Sequence, residues 1–363
     1  MTTSASVKPA APTDAPRGGR AWLFAGVAAL LALSAWRLLF APVPSAAPVT
    51  ELAGGSMGTT YSVKIGRVLE GAEHVRAERA VTDALSAVDH AASTYRPDSE
   101  LSRFNQQRDL VAPFPLSSVL QPIIEIALQV GEQSGGALDI TIGPLVNAWG
   151  FGPEANRAPS PELIAALRDK VGPQQLLLQG STLTKRRSDL VLDLSSVAKG
   201  YAVDQIAGAL EGLGHTSFLV EVGGELRARG VRPDGMPWRV GIEKPVTGER
   251  AVERIVALRD LGMATSGDYR NFYEDKGLRR SHLIDPRTGR PIEHALASVT
   301  VLDREAARAD AWATALAVLG PTDGPKVAER ERLAAFFIVR EGPRAFRSIQ
   351  SAAFTQAVSG ESQ

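Results

Sequence analysis

No cysteine occurs anywhere in the 363 residues. Disulfides, thiolate metal sites, cysteine nucleophiles and cysteine-linked lipid anchors are therefore excluded. Net charge is missing too. Forty Lys and Arg balance forty Asp and Glu, which leaves no basic surplus for a nucleic acid or another polyanion. Neither a GxxxxGK[ST] phosphate loop nor a GxGxxG fingerprint is present, so P-loop and Rossmann readings lose their main signal. No internal repeat of roughly 20–50 residues is visible, which argues against a solenoid or propeller. What is present is ordinary for a globular chain, with 44% hydrophobic and 22% charged residues. The length is ample to bury a core without covalent staples.

The N-terminus reads differently from the rest. Residues 1–20 are rich in Ala, Pro, Thr and Ser and carry Lys8, Arg17 and Arg20 against Asp14, a composition expected to stay disordered. Ala21 to Ala41 is an apolar run with one charge, Arg37, close to the ~20 residues that cross a bilayer as a helix. Positive charge before it predicts a cytoplasmic N-terminus. Two readings stay open, a retained anchor and a signal peptide cleaved near Ser45-Ala46-Ala47. Both place the remainder outside the cytoplasm. The expected organisation is a cytoplasmic tail (1–20), a transmembrane signal-anchor (21–41), a linker (42–50), one catalytic domain (51–350) and a C-terminal tail (351–363).

Within the exported part, helix-period and strand-period segments are mixed. Val81, Ala84, Leu85, Val88 and Ala92 form one amphipathic stripe, and Val119, Ile123, Ile124, Ala127 and Val130 another. Ser160-Pro161 opens a third helix that Gly172 should close. Alternation predicts strands at Leu190/Leu192/Leu194, Phe218/Val220/Val222, Trp238/Val240/Ile242 and Val299/Val301, and Phe336 to Val339 is a further apolar run. Strands cluster between helices without strict βαβ alternation. That favours an α+β fold, read as a single bilobed domain of mixed sheets and helices.

Three groups of residues carry candidate chemistry. A strand ending at Asp193 leads to a helix beginning near Ser195 or Ser196, with Ser196 and Lys199 on one face of its N-terminus. Lysine there has the wrong sign for the helix dipole, which points to an anionic partner such as phosphate; a lysine in solvent is the plainer alternative. A second helix, Arg304 to Leu319, carries Asp310 and Thr314 one turn apart in apolar surroundings. Carboxylate plus hydroxyl is hard-oxygen chemistry suited to Mg²⁺, although an exposed face with Thr314 bonded to its own backbone fits as well. The third group comprises Gly135-Gly136-Ala137-Leu138-Asp139, Val222-Gly223-Gly224-Glu225, Thr265-Ser266-Gly267-Asp268 and Ser281-His282-Leu283-Ile284-Asp285. Singly each reads as a turn. Among five histidines, His282 beside Asp285 is the best placed as a general base.

Taken together, GSMGTTYSV (55–63), STYRPDSELSRFN (93–105), GALDITIGPLVNAWGFG (136–152), LDLSSVAKGYAVD (192–204), VEVGGELRARG (220–230), TSGDYRNFY (265–273), SHLIDPRTGRPI (281–292) and ADAWATAL (309–316) resemble the ApbE family of flavin transferases. The likeness runs from about residue 52 to about 340. It implies FAD as substrate, Mg²⁺ as cofactor, and transfer of FMN to a Thr or Ser of an acceptor protein with release of AMP. Some members of the family hydrolyse FAD to FMN and AMP instead, and a non-catalytic flavin carrier is the rival from another class. The resemblance places flavin contacts on Met57, Tyr95, Ala137, Leu138, Asp139, Asp193, Lys199 and Ile284, with Met57 and Tyr95 sandwiching the ring system. It places metal ligands on Ser196, Asp310 and Thr314, and proton transfer on His282 with Asp285. The implied acceptor is an exported flavoprotein or a subunit of a membrane redox complex. Many members are tethered by a lipidated cysteine. This chain has none, so residues 21–41 are the expected tether, in a bacterial inner membrane with the catalytic domain periplasmic.

Overall fold

The first hairpin of the fold takes its register from two residues. In the computed structural model, strands β1 (Thr50–Ser56) and β2 (Thr59–Ile65) are joined by Met57 and Gly58 alone. Both lie in the left-handed region, at φ 51° and 71°, the type I′ geometry that matches the twist of paired strands. The structure describes residues 48–153, 159–246, 251–269, 272–275, 278–342 and 344–359. The tail, transmembrane segment and most of the linker expected over 1–47 lie outside these. Among the described residues no helix is long and apolar enough to cross a membrane.

The hairpin is the edge of an eight-stranded sheet. Its further strands are β3 (Phe218–Val222), β4 (Glu225–Arg229), β7 (Gly262–Gly267), β8 (Leu296–Asp303), β9 (Ala334–Arg340) and β10 (Phe346–Gln350), in the order β1-β2-β3-β4-β7-β8-β9-β10. Every neighbouring pair is antiparallel. Strands β5 (Trp238–Glu243) and β6 (Val252–Leu258) form a separate hairpin.

Side chains alternate between two cores, as the period of two requires. Val299, Val301 and Phe337 face the larger core, shared with helices Gly71–Ala92, Leu120–Gln133, Ala198–Gly212 and Ala306–Arg330. Leu302, Phe336 and Ile338 face the other side, where Trp238, Ile242, Val256 and Leu258 of the β5–β6 hairpin cover them. An antiparallel sheet with its helices gathered mainly on one face is an α+β fold.

Two helices meet at a contact that only glycine permits. A Cβ on Gly200 would stand 2.3 Å from the carbonyl oxygen of Ala306. Four residues on, the Asp204 carboxylate accepts the N–H groups of Ala306 at 3.0 Å and Ala307 at 2.9 Å. One helix thus supplies the N-terminal cap of the other, satisfying donors that the first turn leaves open. Arg227 holds the same carboxylate from the sheet, at 2.6 Å.

Several expectations need correction. Leu190 to Leu194 joins no ladder among the described residues, and Ser195 already lies in a turn. Its leucines are buried as the alternation indicated, yet its backbone pairs with a side chain: Asn105 accepts from Leu192 N–H at 2.8 Å and donates to its carbonyl at 3.0 Å. The helix after it starts at Ala198, not at Ser195 or Ser196. Its start is fixed by the turn through Leu194, whose carbonyl accepts from Val197 and Ala198. The Ser160-capped helix ends at Arg168, short of Gly172. The helix expected over 304–319 spans Ala306–Arg330, with a break at Gly320 (φ 75°) after which Pro321 restarts it. The expected C-terminal tail contains a helix, Ala352–Ser359, anchored by the fully buried Phe354 in the second core.

Candidate active site

Strands β4 and β7 pair only at Leu226↔Met263 and Arg227↔Gly262. Beyond that point β4 turns back through Gly223-Gly224 while β7 runs on beside β8. Where they part there is a cavity of about 840 Å³, within the range of small-molecule sites. Lys199, Asp310 and Thr314 line it from the helical side, and Val240 and Ile242 from the hairpin side. The cavity therefore reaches both faces of the sheet.

Its polar floor is a buried charge cluster. Asp310 and Glu225 are 3% and 4% exposed, and Lys199 donates to Glu225 Oε1 at 2.7 Å. Asp310 accepts the backbone N–H of Gly200 at 3.0 Å. Burial pushes the Asp310 carboxyl up; Lys199 and the Gly200 N–H oppose this, while Glu225 adds to it. Glu225 is likewise raised by burial, against the pull of Lys199. Burial pulls the Lys199 ammonium down, but Asp310 and Glu225 outweigh it and hold it raised. Two acids share one cation, and the second oxygen of Glu225 is buried with no hydrogen-bond partner among the described residues. Lys199 keeps 31% of its side chain accessible, so the ammonium can serve an anion entering the cavity.

Oxygen donors of a kind that could hold a divalent cation lie in the same place. Thr314 stands one turn beyond Asp310, and its hydroxyl meets Ser266 Oγ at 3.2 Å. Ser196 lines the cavity in the turn before the lysine helix. Among the described residues no group of three His, Cys, Asp or Glu side chains is placed to hold a metal. One carboxylate with two hydroxyls suits a cation that keeps waters and shares phosphate oxygens, as Mg²⁺ does. A buried carboxylate held raised is also what such a cation would ionise and pair.

The flavin contacts implied by the resemblance line this cavity except one. Ala137, Leu138 and Asp139 follow the Gly135-Gly136 turn (φ 68° and 79°). Burial raises the Asp139 carboxyl, although it accepts from the Thr141 hydroxyl and N–H at 2.7 and 2.8 Å. Asp193 accepts from Ser195 N–H and Oγ, at 2.8 and 2.5 Å. Tyr95 is 70% exposed at the rim, its hydroxyl donating to Phe151 O at 3.3 Å. Ile284 is a buried part of the wall. Met57 does not line the cavity. It packs half-buried against the larger core from its strained turn, and Thr59 and Thr60 take its place in the lining.

His282 lines the cavity too, with its ring edge-on to Phe151 at 6.3 Å between centroids. Asp285 does not. Arg287 takes both its carboxylate oxygens at 2.9 Å, and Thr288 and Gly289 N–H donate to its carbonyl. It lies in the short strand Ile284–Asp285, paired with Arg290, at the foot of the Pro286–Gly289 turn. Glu225, Thr265 and Ser266 are site residues to which the sequence had given no role. The one signal for Glu225 was its place directly after a paired glycine turn.

Comparisons with known proteins converge on the same cavity-bearing fold. The chain is 45% identical over 303 residues to the Escherichia coli protein named FAD:protein FMN transferase, covering 82% of this chain and 86% of that one. The solved flavin transferase ApbE from Vibrio cholerae superposes with a TM-score of 0.78 at 41% identity, covering 85% of this chain and 99% of the other. The apo flavinyl transferase ApbE of Pseudomonas stutzeri gives 0.78 at 43% identity, over 86% and 97%. The ApbE family model matches residues 57–337, and the chain belongs to the ApbE family.

Proposed function

We propose that this protein transfers the FMN moiety of FAD to a threonine or serine hydroxyl of an acceptor protein, releasing AMP, with Mg²⁺ as cofactor. The observation that carries this is the convergence of Lys199, Asp310, Thr314 and Ser196 on one cavity with Asp139, Asp193 and His282. Lys199 binds the pyrophosphate of FAD, its charge held in place by Glu225. The turn Asp193–Val197 presents Ser196 beside it. Ala137, Leu138 and Ile284 supply an apolar wall for the flavin, and Tyr95 a ring at its rim. His282 accepts the proton of the incoming hydroxyl. The new bond joins the hydroxyl oxygen to the FMN phosphorus, and the bond broken is the pyrophosphate link to AMP. Asp310, Thr314 and Ser196 would hold Mg²⁺, which when bound neutralises pyrophosphate charge.

Residues 21–41 tether the domain to the inner membrane with the catalytic part on the periplasmic side, facing exported flavoproteins or a membrane redox subunit. Protease applied outside intact spheroplasts should degrade the domain; full protection there would refute this placement. For the activity, detergent-solubilised protein is incubated with FAD, Mg²⁺ and candidate acceptor domains. Covalent flavin fluorescence and an FMN mass increment on threonine are expected. FMN and AMP released with no acceptor labelled would instead make it an FAD pyrophosphatase, and intact FAD after prolonged incubation would make it a carrier.

A further inference from the structure

The glycine turn ending in Glu225 and the Thr265-Ser266-Gly267 run meet where β4 and β7 part. Glu225 directly precedes Leu226, the last residue of β4 that pairs with β7. From there β7 continues for Ala264 to Gly267 with a partner on its β8 side only. Among the described residues no other segment pairs with the opposite edge. The orientation of that edge follows from the ladder. Ala228 N–H donates to Leu261 O across the β4 side, so the period of two turns the N–H and C=O of Met263, Thr265 and Gly267 the same way. Asp268 N–H, one residue out of phase, donates to Ala297 on the β8 side. Beyond Met263 the outward groups of Thr265 and Gly267 face the cavity that Thr265, Ser266 and Gly267 line. Beside this edge lies Glu225 Oε2, buried, in a residue that lines the cavity, and without a donor among the described residues.

We infer that this overhanging edge docks the acceptor polypeptide, which adds as a short extended strand in the position β4 vacates and offers its hydroxyl to Glu225 Oε2. Strand addition supplies main-chain hydrogen bonds irrespective of sequence. It also fixes the register of the arriving side chain, so alternate residues point to the Lys199–Asp310 side. Glu225 is then a positioning residue, with one oxygen on Lys199 and the other accepting the nucleophile's hydroxyl as it docks; the same proton passes to His282 when the hydroxyl turns to attack. This rests on the transferase reading above, in which the second substrate is a protein.

The test uses the full chain in detergent, FAD, Mg²⁺ and an acceptor domain of a kind that becomes FMN-labelled on co-expression, used as the variant in which the target threonine is replaced by valine so that it docks without turnover. Hydrogen exchange is followed at the Thr265 and Gly267 amides. At least tenfold slowing on addition of this acceptor, and not with FAD alone, is expected. Equal slowing by FAD alone would overturn the inference and give the edge to the nucleotide. Labelling of the unmodified acceptor without any slowing would overturn it too. Slowing without labelling of the unmodified acceptor would instead uphold docking and refute the transferase reading. As a second arm, Thr265→Pro removes one outward N–H while leaving the β8 ladder intact. It should raise the acceptor KM more than tenfold and the FAD KM less than threefold. A proportional rise in both KM values would refute the docking edge.

Discussion

At the residue scale the cavity is a problem in charge balance. Asp310 is buried beside one ammonium that it shares with Glu225. Asp310→Asn keeps the shape and removes the anion that a cation would need. Transfer should fall by about 100-fold or more, with loss of Mg²⁺ dependence and a little-changed melting temperature. Parent rates from this variant would refute the metal assignment. Lys185 is a buried amine, 2% exposed and donating to the carbonyls of Phe104 and Asn105 at 3.0 and 3.1 Å. Burial, helped by Arg108, lowers its pKa from 10.5 to about 8. Between those values the unfolded chain binds more protons than the folded one, so this group makes stability rise with pH across the window. Chemical denaturation at pH 8 and pH 10 should show that rise in the parent and a flatter response in Lys185→Met.

At the element scale, the crossing of the Ala198–Gly212 and Ala306–Arg330 helices sets the distance between Lys199, proposed for phosphate, and Asp310, proposed for the metal. Lys199 and Gly200 are on one helix and Asp310 on the other, tied by the Gly200 N–H. Gly200→Ala forces a methyl into the Ala306 carbonyl and should cost about 1–3 kcal/mol, read by urea denaturation. Activity should fall further than stability does, because the crossing carries both halves of the site. Most of this arrangement was legible in the sequence. The LDLSSVAKGYAVD and ADAWATAL segments announced two helices with their polar residues on one face. That Gly200 and Asp204 join those helices was not legible, because it depends on contacts more than a hundred residues apart in sequence. The false strand at Leu190–Leu194 has a similar cause. Alternation reports which side chains are buried, and here an asparagine side chain occupies the backbone groups that a ladder would use. Glu225 read as part of a turn because nothing local shows that its neighbours are Lys199 and Asp310.

At the scale of the whole molecule the sheet separates two cores, and the smaller is closed by the Ala352–Ser359 helix. Phe354 is fully buried there, its ring 5.3 Å from that of Phe336. Phe354→Ala should cost about 3–5 kcal/mol, visible as a lowered thermal midpoint. Truncation after residue 351 should behave alike and bind a hydrophobic dye. The terminal segment carried too few periodic residues to declare itself in sequence.

The same sheet is interrupted where β4 and β7 part, and that break has a kinetic consequence. If nucleotide and protein substrate enter a cavity that reaches both faces from opposite sides, neither must leave before the other binds. Initial-rate plots at varied FAD and acceptor should then intersect, the pattern of a ternary complex. Direct transfer between two bound partners also leaves no flavinylated form of this chain to accumulate.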